Sequence, residues 1–267
     1  MKSHILLKEC HRRYRLRVRP YGRILQKQMY SVIDRNVDRD KLMVNVGGGW
    51  YFRRHWKVMD FPSEHYRFVG GVVDYRHNLA SFDCFPFADN SVAFFYSSHT
   101  LEHIPQEYCQ HVLDEMHRCL RCGGAVRLAL PDFDLALEAF RRNNPDFFVK
   151  YPGSCIEERF LNFFATWWMS KIPPSEFRAE FNSMSPEEAA DFYTTRIPRD
   201  SQKQATANHI NWWNYDKLNR MLAKAGFCQV YRSNPQGSQF PDLRGVGWDG
   251  GFDSTHPELS LYVEAIK

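Results

Sequence analysis

The sequence lacks the features of a membrane-spanning or disulfide-stabilised protein. No apolar run in its 267 residues approaches the roughly 18 residues that a membrane-spanning helix requires. No signal-peptide pattern is present, and the seven cysteines are an odd number. Free thiols in a reducing cytoplasm therefore fit better than a disulfide framework. We expect a cytoplasmic protein with one large domain and a substantial core.

Two further signatures are missing or incomplete. A G-x-G-x-x-G fingerprint is absent, which argues against a plain nicotinamide-dependent dehydrogenase. One C-x-x-C pair, Cys119 and Cys122, has neither a second pair nor a redox βαβ context. We expect both thiols to lie at a helix end, without metal or disulfide chemistry.

The net charge of +4 is unevenly distributed along the chain. Residues 1–30 contain nine lysines and arginines and a single acidic residue, Glu9, so the remainder is net acidic. This basic segment suits a peripheral contact with anionic lipid at the inner face of the membrane, or with a phosphorylated substrate. Nucleic acid is the partner we least expect. A solvated arm, or one paired with carboxylates of the body, is an equal alternative.

Apolar runs bounded by glycine, proline and aspartate recur along the chain and indicate buried strands. Helical patterns alternate with them, which predicts an α/β fold with a parallel sheet. One helix is expected over 105–120, and another between Asn214 as N-cap and Gly226 as C-terminal stop. The predicted strands are 42–46, 56–61, 69–75, 92–97, 125–130, 227–232 and 259–266.

Residues from about 133 to 210 interrupt this alternation with helix-like segments punctuated by proline. The segment leaves after the fifth strand, and the sheet resumes beyond it. We therefore expect an inserted helical cap over the carboxyl ends of the strands, where parallel α/β sheets bind ligands. Its aromatic residues either stack on a ligand or pack onto the body of the protein. They are Phe163, Phe164, Trp167 and Trp168.

A glycine run follows the first predicted strand, at Gly47, Gly48 and Gly49. Glycines allow a sharp turn and bring backbone N–H groups close to an anionic ligand group, although a plain tight turn has the same pattern. The next predicted strand contains Asp60, eleven residues after Gly49. An acidic side chain at that place suits the ribose hydroxyls of a nucleotide.

Seven motifs occur in a recognisable order: VNVGGGW, VMD, HNL, FPFADNSVAFFYSSHTLEHIP, EMHRCLRCGGAVRLALPDFD, WWNYDKLNRMLAKAGF and LSLYVEAIK. The series resembles the S-adenosylmethionine-dependent class I methyltransferases, especially the small bacterial group associated with saccharide biosynthesis, over about residues 42–132 and 208–267. The resemblance implies a Rossmann-like fold, a mostly parallel seven-stranded sheet with helices on both faces, and S-adenosylmethionine as cofactor. We expect a basic segment over 1–38 and a methyltransferase domain over 39–267 that contains the inserted cap.

The resemblance also implies which residues bind the cofactor. Gly47 and Gly49 would line its methionine moiety, and Asp60 would hold the ribose hydroxyls. Gly48 stands where the family commonly has a small residue or a cysteine inside the loop. It is therefore expected to belong to the same cofactor-binding turn.

Residues after the third and fourth predicted strands complete the implied cofactor site. Asn78 stands where the family more often has an aspartate near the adenine amino group, so hydrogen bonding is retained without the charge. Leu79 would flank the adenine ring. His99 would border both the cofactor and the methyl acceptor.

His99, Glu102 and His103 have the H-x-x-E-H spacing of an inverted zinc-peptidase signature. Pro105 follows closely, so the long uninterrupted helix of such a peptidase is not expected. A zinc site also needs a third ligand, which nothing in the sequence singles out, and we expect no metal. A zinc hydrolase built on His99 and His103 stays an alternative. The Glu102 and His103 side chains alternatively cap or orient the local backbone.

Transfer of a methyl group to a hydroxyl requires removal of the hydroxyl proton, which histidine can accept near neutral pH. The candidates are His103, His99 and His209, in that order, although a structural imidazole bonded to backbone is the ordinary role of any one. We expect O-methylation, and less strongly N-methylation, of a sugar, nucleotide sugar or glycan intermediate. That acceptor class rests on the resemblance alone. A non-catalytic adaptor that docks on membrane or nucleic acid through the basic arm is the alternative of a different kind.

Overall fold

The computed structural model describes residues 41–49, 53, 55–61, 73–244, 253 and 255–267. The basic segment predicted over 1–38 lies outside these residues, as do residues 69–72 of the predicted third strand. Among the described residues, no helix combines the length and the apolar character needed to cross a membrane.

A seven-stranded sheet forms the centre of the structure. Its strands are β1 (Leu42–Val46), β2 (Trp56–Asp60), β3 (Tyr75–Arg76), β4 (Val92–Ser98), β5 (Leu120–Pro131), β6 (Gln229–Ser233) and β7 (Ser260–Ile266). They lie side by side in the order β3-β2-β1-β4-β5-β7-β6. Strands β1 to β5 pair in parallel, whereas β7 is antiparallel to both β5 and β6. The predicted fold, a Rossmann-like and mostly parallel sheet, is confirmed.

The third strand differs from its prediction. Of the described part of that prediction, residues 73–75, Tyr75 alone belongs to β3, which continues to Arg76. Asp74 instead accepts a hydrogen bond from the backbone N–H of Val58 through its carboxylate, at 2.9 Å, and pairs with Lys57. The Asp74 backbone N–H also donates to the Val58 carbonyl oxygen at 2.9 Å, so this residue is joined to β2 through both its backbone and its side chain.

Two predicted helices, α1 (Gln106–Cys119) and a later helix over Tyr215–Ala225, share a core with the strands. The Asn214 side chain accepts a hydrogen bond from the backbone N–H of Lys217 at 2.9 Å, which confirms the predicted N-cap. Gly226 has a φ of 101°, as a left-handed C-terminal stop requires. The helical residues in this core are Val112, Leu113, Met116, Leu218 and Leu222.

Between β5 and Asn214 lies the inserted segment, residues 133–210, which has its own largely aromatic core. It forms α2 (Phe133–Arg141), α3 (Ile156–Phe164), α4 (Pro174–Asn182), α5 (Pro186–Thr195) and α6 (Arg199–Gln204), so the helix over Tyr215–Ala225 is α7. Phe163 and Phe164 are buried in this core, each with 1% of its surface exposed. The alternative that these two rings stack on a ligand is therefore wrong, because packing leaves them no free face.

The two ends of the inserted segment meet at the sheet. The backbone N–H of Phe133 donates to the carbonyl oxygen of Trp213 at 2.9 Å. Trp212 packs into the core of the inserted segment, whereas Trp213 packs into the core shared by the strands, α1 and α7. Two consecutive tryptophans thus join the two cores.

The C-x-x-C pair is divided between a helix and a strand. Cys119 is the buried last residue of α1, but Cys122 is exposed within β5, because the chain passes directly from helix to strand at Leu120. The expectation that both lie at the helix end is therefore wrong for Cys122. The six cysteines within the described ranges are all free thiols.

A buried ion-pair network lies inside the sheet at Arg127 of β5. Its guanidinium contacts Asp253 at 2.6 Å and Glu264 at 2.8 Å, and all three side chains have no exposed surface. Burial works against the charged guanidinium, but the two carboxylates outweigh burial and raise the Arg127 pKa. Removing the cation would leave two buried negative charges.

We expect Arg127→Ala to lower the free energy of unfolding by about 3–5 kcal/mol, because both carboxylates lose their buried partner. Urea denaturation measures this loss. Arg142→Ala is the matched control, since Arg142 pairs with Glu138 at the surface with 75% of its side chain exposed, and its loss should be close to zero. Similar losses in the two variants would contradict a structural role for the network.

Lys217 of α7 is a buried cation held by neutral groups. Its ammonium donates to Asn211 Oδ1 at 2.9 Å and to the Trp212 carbonyl oxygen at 3.0 Å, and it lies 4.2 Å from the centre of the Trp212 ring. Burial lowers the Lys217 pKa from 10.5 to about 8. The unfolded chain therefore holds more protons here between these two pH values, so this group's contribution to stability rises with pH across that window.

We expect the difference in free energy of unfolding between wild type and Lys217→Met to grow with pH, by up to about 1.4 kcal/mol per unit between pH 8 and 10. Groups that titrate in both proteins cancel in this difference, which urea denaturation at several pH values measures. Lys224→Met, an exposed position of the same helix, should give a difference independent of pH. A flat difference for Lys217→Met would show that the pKa is not lowered.

Candidate active site

The glycine turn after β1 is sterically required. Gly47 has a φ of +66°, and a Cβ there would lie 2.3 Å from the Thr100 side chain. A Cβ on Gly48 would lie 2.8 Å from Asn45 Nδ2. Gly49 has a φ of +50° and no described atom within 4 Å of where its Cβ would be. Within the described residues, the turn is thus closed on its inner side and open beside Gly49.

Asp60 ends β2 and faces the glycine turn. Its carboxylate accepts a hydrogen bond from the backbone N–H of Gly49 at 2.9 Å and another from that of Phe61 at 2.7 Å. Burial raises the Asp60 pKa, and these two bonds act in the opposite direction. The carboxylate is therefore oriented by backbone groups, while each oxygen keeps lone-pair capacity for a further donor.

The next two predicted cofactor residues follow β3. The Asn78 side chain is exposed, and its oxygen accepts a hydrogen bond from the backbone N–H of Ala80 at 3.0 Å. Leu79 is buried in the core beneath the sheet edge. Because β3, β2, β1 and β4 are parallel neighbours, Asn78, Asp60, the glycine turn and His99 all lie at one edge of the sheet, as predicted.

His99 directly follows β4 and adopts a φ of +50°. Its Nδ1 lies 3.2 Å from Glu102 Oε1, and its Nε2 lies 2.8 Å from the hydroxyl oxygen of Ser260. About 10% of the side chain is exposed. The ring therefore lies between the start of β7 and a buried carboxylate, and Ser260 is a contact that sequence analysis did not anticipate.

Glu102 carries a buried negative charge. Its side chain is 1% exposed, and neither carboxylate oxygen has a well-aligned hydrogen bond from the described residues. Burial alone would raise the Glu102 pKa, but the surrounding imidazoles outweigh burial and lower it to about 2. The alternative that this carboxylate caps the backbone is wrong. It is the peptide carbonyl of Glu102 that accepts hydrogen bonds, from Ile210 N and Asn211 N.

Two further imidazoles face the same carboxylate. His103 Nε2 lies 3.8 Å from Glu102 Oε1, and His209 Nε2 lies 4.0 Å from it. Each ring holds its other nitrogen against a carbonyl oxygen, Asn208 for His103 at 2.9 Å and Phe163 for His209 at 2.7 Å. Burial and the neighbouring His103 ring lower the His209 pKa to about 4. His209 is therefore a neutral imidazole at pH 7.

These four residues, His99, Glu102, His103 and His209, form what we call the imidazole cluster. The local backbone excludes the helix of a zinc peptidase, as predicted, because Leu101–His103 is a single 3-10 turn and α1 begins only after Pro105. The H-x-x-E-H spacing already grouped His99, Glu102 and His103, whereas the contact of His209 with them was not predicted. No local signal connects His209 with them, because the contact depends on the path of the inserted segment.

Residues 58–128 match the family model for a methyltransferase domain. The matched range runs from β2 through most of β5 and includes Asp60, Asn78 and three members of the imidazole cluster. The match identifies a methyltransferase domain in the chain. The non-catalytic adaptor and the zinc hydrolase are therefore not retained as functions.

Several solved structures of S-adenosylmethionine-dependent methyltransferases are similar to this chain in the overall path of the backbone. One from Thermotoga maritima is 15% identical, with 97% of this chain and 95% of that chain covered and a TM-score of 0.41. One from Aquifex aeolicus is 11% identical, with 89% and 88% covered and a TM-score of 0.40. One from Mesorhizobium loti is 13% identical, with 89% and 97% covered and a TM-score of 0.39. Likeness at this level carries no information on the acceptor. No curated protein matches the sequence.

S-adenosylmethionine is the methyl donor, and the sheet edge of the methyltransferase fits it. Among the described residues, the space beside Gly49 has room for a ligand group, and the Asp60 carboxylate suits a ribose diol. The assignment of Gly47, Gly48 and Gly49 to the methionine moiety stays a prediction. So do those of Asp60 to the ribose, of Asn78 and Leu79 to the adenine, and of His99 to the cofactor border.

We expect Asp60→Ala to weaken binding of S-adenosylhomocysteine at least tenfold, because charge-assisted hydrogen bonds to the ribose contribute on the order of 1.5–3 kcal/mol each. Titration calorimetry measures the affinity. Asp60→Asn keeps an acceptor for the Gly49 N–H and should bind with intermediate affinity. Asp89→Ala, at an exposed carboxylate before β4, is the control and should bind as wild type does. Wild-type affinity in Asp60→Ala would overturn the ribose assignment.

Proposed function

We propose that the methyltransferase acts on a hydroxyl oxygen of a sugar, nucleotide sugar or glycan intermediate. The observation that carries the proposal is the position of the imidazole cluster directly after β4, next to the glycine turn after β1. A hydroxyl acceptor must lose a proton, and this cluster offers imidazole lone pairs beside a buried carboxylate. S-adenosylmethionine, when bound, supplies a methyl group already activated by its sulfonium.

His103 is the residue of the cluster that we assign to proton removal. It has the most exposed side chain of the three histidines, at 20% against 10% for His99 and 12% for His209. Its Nδ1 donates to the Asn208 carbonyl oxygen, so Nε2 is the ring nitrogen that carries the lone pair. The Glu102 charge would stabilise the imidazolium that forms.

His99 and His209 have supporting roles in this proposal. The low pKa of His209 makes it a weak base at pH 7. His99 approaches Glu102 most closely, at 3.2 Å, and is held from behind by Ser260. We therefore assign both rings to positioning Glu102 and the acceptor, with His99 as the second candidate for proton removal.

The inserted segment supports an acceptor site at this edge. His209 is fixed from within the segment, since its backbone N–H donates to Thr166 Oγ1 at 3.0 Å and its ring to the Phe163 carbonyl oxygen. A residue at the end of the segment thus reaches the cluster after β4. This supports the role of the segment as a cap over the acceptor side.

The saccharide class is supported by the sequence resemblance. Trp168 does not add to it as expected, because its indole N–H donates to the Tyr193 carbonyl oxygen at 2.8 Å and its ring packs edge-on against Tyr193. It therefore stabilises the inserted segment. Of the four aromatic residues for which stacking on a ligand or packing onto the body was left open, Trp167 is half-buried, and the Lys171 ammonium lies 4.6 Å from the centre of its ring.

We expect His103→Gln to reduce methyl transfer at least a hundredfold with S-adenosylhomocysteine affinity unchanged, because general-base catalysis contributes about that much. Transfer of labelled methyl from S-adenosylmethionine to a panel of sugars, nucleotide sugars and amines measures this loss. His111→Gln is the control, since that ring binds the Asp83 carbonyl oxygen away from the cluster. Equal losses of transfer and cofactor affinity would show a structural role for His103, and methylation of amines alone would refute a hydroxyl acceptor.

A further inference from the structure

The imidazole cluster surrounds a buried carboxylate. Glu102 is 1% exposed, and neither of its carboxylate oxygens has a well-aligned hydrogen bond from the residues described. A buried carboxylate is costly unless a cation or several donors compensate for it. The nearest nitrogen, His99 Nδ1 at 3.2 Å, approaches only Oε1. The cluster therefore has capacity for a further positive charge.

The hydrogen bonds of His103 and His209 determine which nitrogen of each ring faces Glu102. Carbonyl oxygens only accept hydrogen bonds, so the protons of His103 and His209 lie on Nδ1, which contacts Asn208 and Phe163. The Nε2 atoms of both rings lie towards Glu102 Oε1, at 3.8 and 4.0 Å. A carboxylate oxygen and two imidazole nitrogens therefore converge on one point, as the ligands of a metal ion do.

The same arrangement is the donor set of a metal site. One ligand atom from each of Glu102, His103 and His209 lies within 4.8 Å of the other two. Tetrahedral ligands at the usual bond lengths of about 2.0–2.1 Å stand roughly 3.3 Å apart, so side-chain rotations that bring the donors slightly closer would complete the site. A backbone carbonyl on the remote nitrogen of each histidine is the support that metal-binding histidines normally have.

We propose that Glu102, His103 and His209 bind one divalent first-row transition-metal ion, with a coordination position left open. Two imidazoles and one carboxylate suit zinc, iron, cobalt or manganese better than calcium or magnesium, which prefer oxygen ligands. The expectation of no metal rested on the lack of a third ligand, and His209 supplies one. With an ion bound, His103 Nε2 would be a ligand and would no longer accept the proton; the ion would instead lower the pKa of a hydroxyl beside it, so that the proton is lost to solvent. That role rests on the proposed function, whereas binding of the ion does not.

The test is a titration of the full-length protein, freed of metal by a chelator, with Co²⁺ followed by visible absorption. Wild type should bind one equivalent with the ligand-field bands of a nitrogen and oxygen site and without thiolate charge-transfer bands. Glu102→Gln and His209→Gln should each weaken binding at least tenfold, because each removes one of three protein ligands. The control His111→Gln should bind as wild type does. No uptake by wild type, or equal uptake by all four proteins, would overturn the proposal.

A second measurement needs no variant and applies if Glu102→Gln or His209→Gln fails to fold by circular dichroism. X-ray absorption of the zinc-loaded wild type should show nitrogen and oxygen ligands at about 2.0–2.1 Å, with outer scattering from imidazole. Sulfur at about 2.3 Å, or no imidazole scattering, would assign the ion to the free thiols and overturn the site. Neither measurement includes cofactor or acceptor, so its outcome is independent of the acceptor assignment.

Discussion

The buried charge of Glu102 is the constraint on which the candidate site depends. Its carboxylate draws three imidazoles from two distant parts of the chain into one cluster. Its peptide carbonyl accepts hydrogen bonds from Ile210 and Asn211, which fixes the main chain beside His209. One residue therefore joins the sheet edge to the end of the inserted segment through both its side chain and its backbone. A neutral side chain at this position would keep the backbone contacts. It would not provide the negative charge around which the three imidazoles are arranged.

The two halves of the site follow neighbouring strands of the sheet. They differ in burial and in charge. After β1 and β2, glycines and a backbone-anchored aspartate leave open space and hydrogen-bonding capacity for the cofactor. After β4, side chains are buried and charged, and the inserted segment holds one of them in place. Methyl donor and acceptor would thus meet where an open polar turn borders a closed charged cluster. Closure by the inserted segment would exclude water and strengthen the electrostatic interactions of the cluster.

The features that the sequence predicted correctly are those that interactions within a few residues determine. Asn214 and Gly226 define α7 by hydrogen bonding and backbone conformation within a few residues, so their prediction was confirmed. The end of the third strand was predicted one residue early, at Tyr75 instead of Arg76, and Asp74 forms side-chain contacts that apolar periodicity does not report. The position of His209 beside Glu102 could not be predicted from the sequence, because it depends on the packing of the whole inserted segment. For the same reason, the pattern left open whether Phe163 and Phe164 face a ligand or a core.

The most direct test of this account is a crystal structure of the full-length protein with S-adenosylhomocysteine, read for the position of the sulfur that carries the methyl group in the donor. We predict the ribose hydroxyls at the Asp60 carboxylate and the sulfur directed towards the space beside His99 and His103. Such a complex would place the reacting methyl group against the imidazole cluster. A sulfur directed away from the cluster, with Glu102 and its histidines remote from the methyl position, would contradict the account.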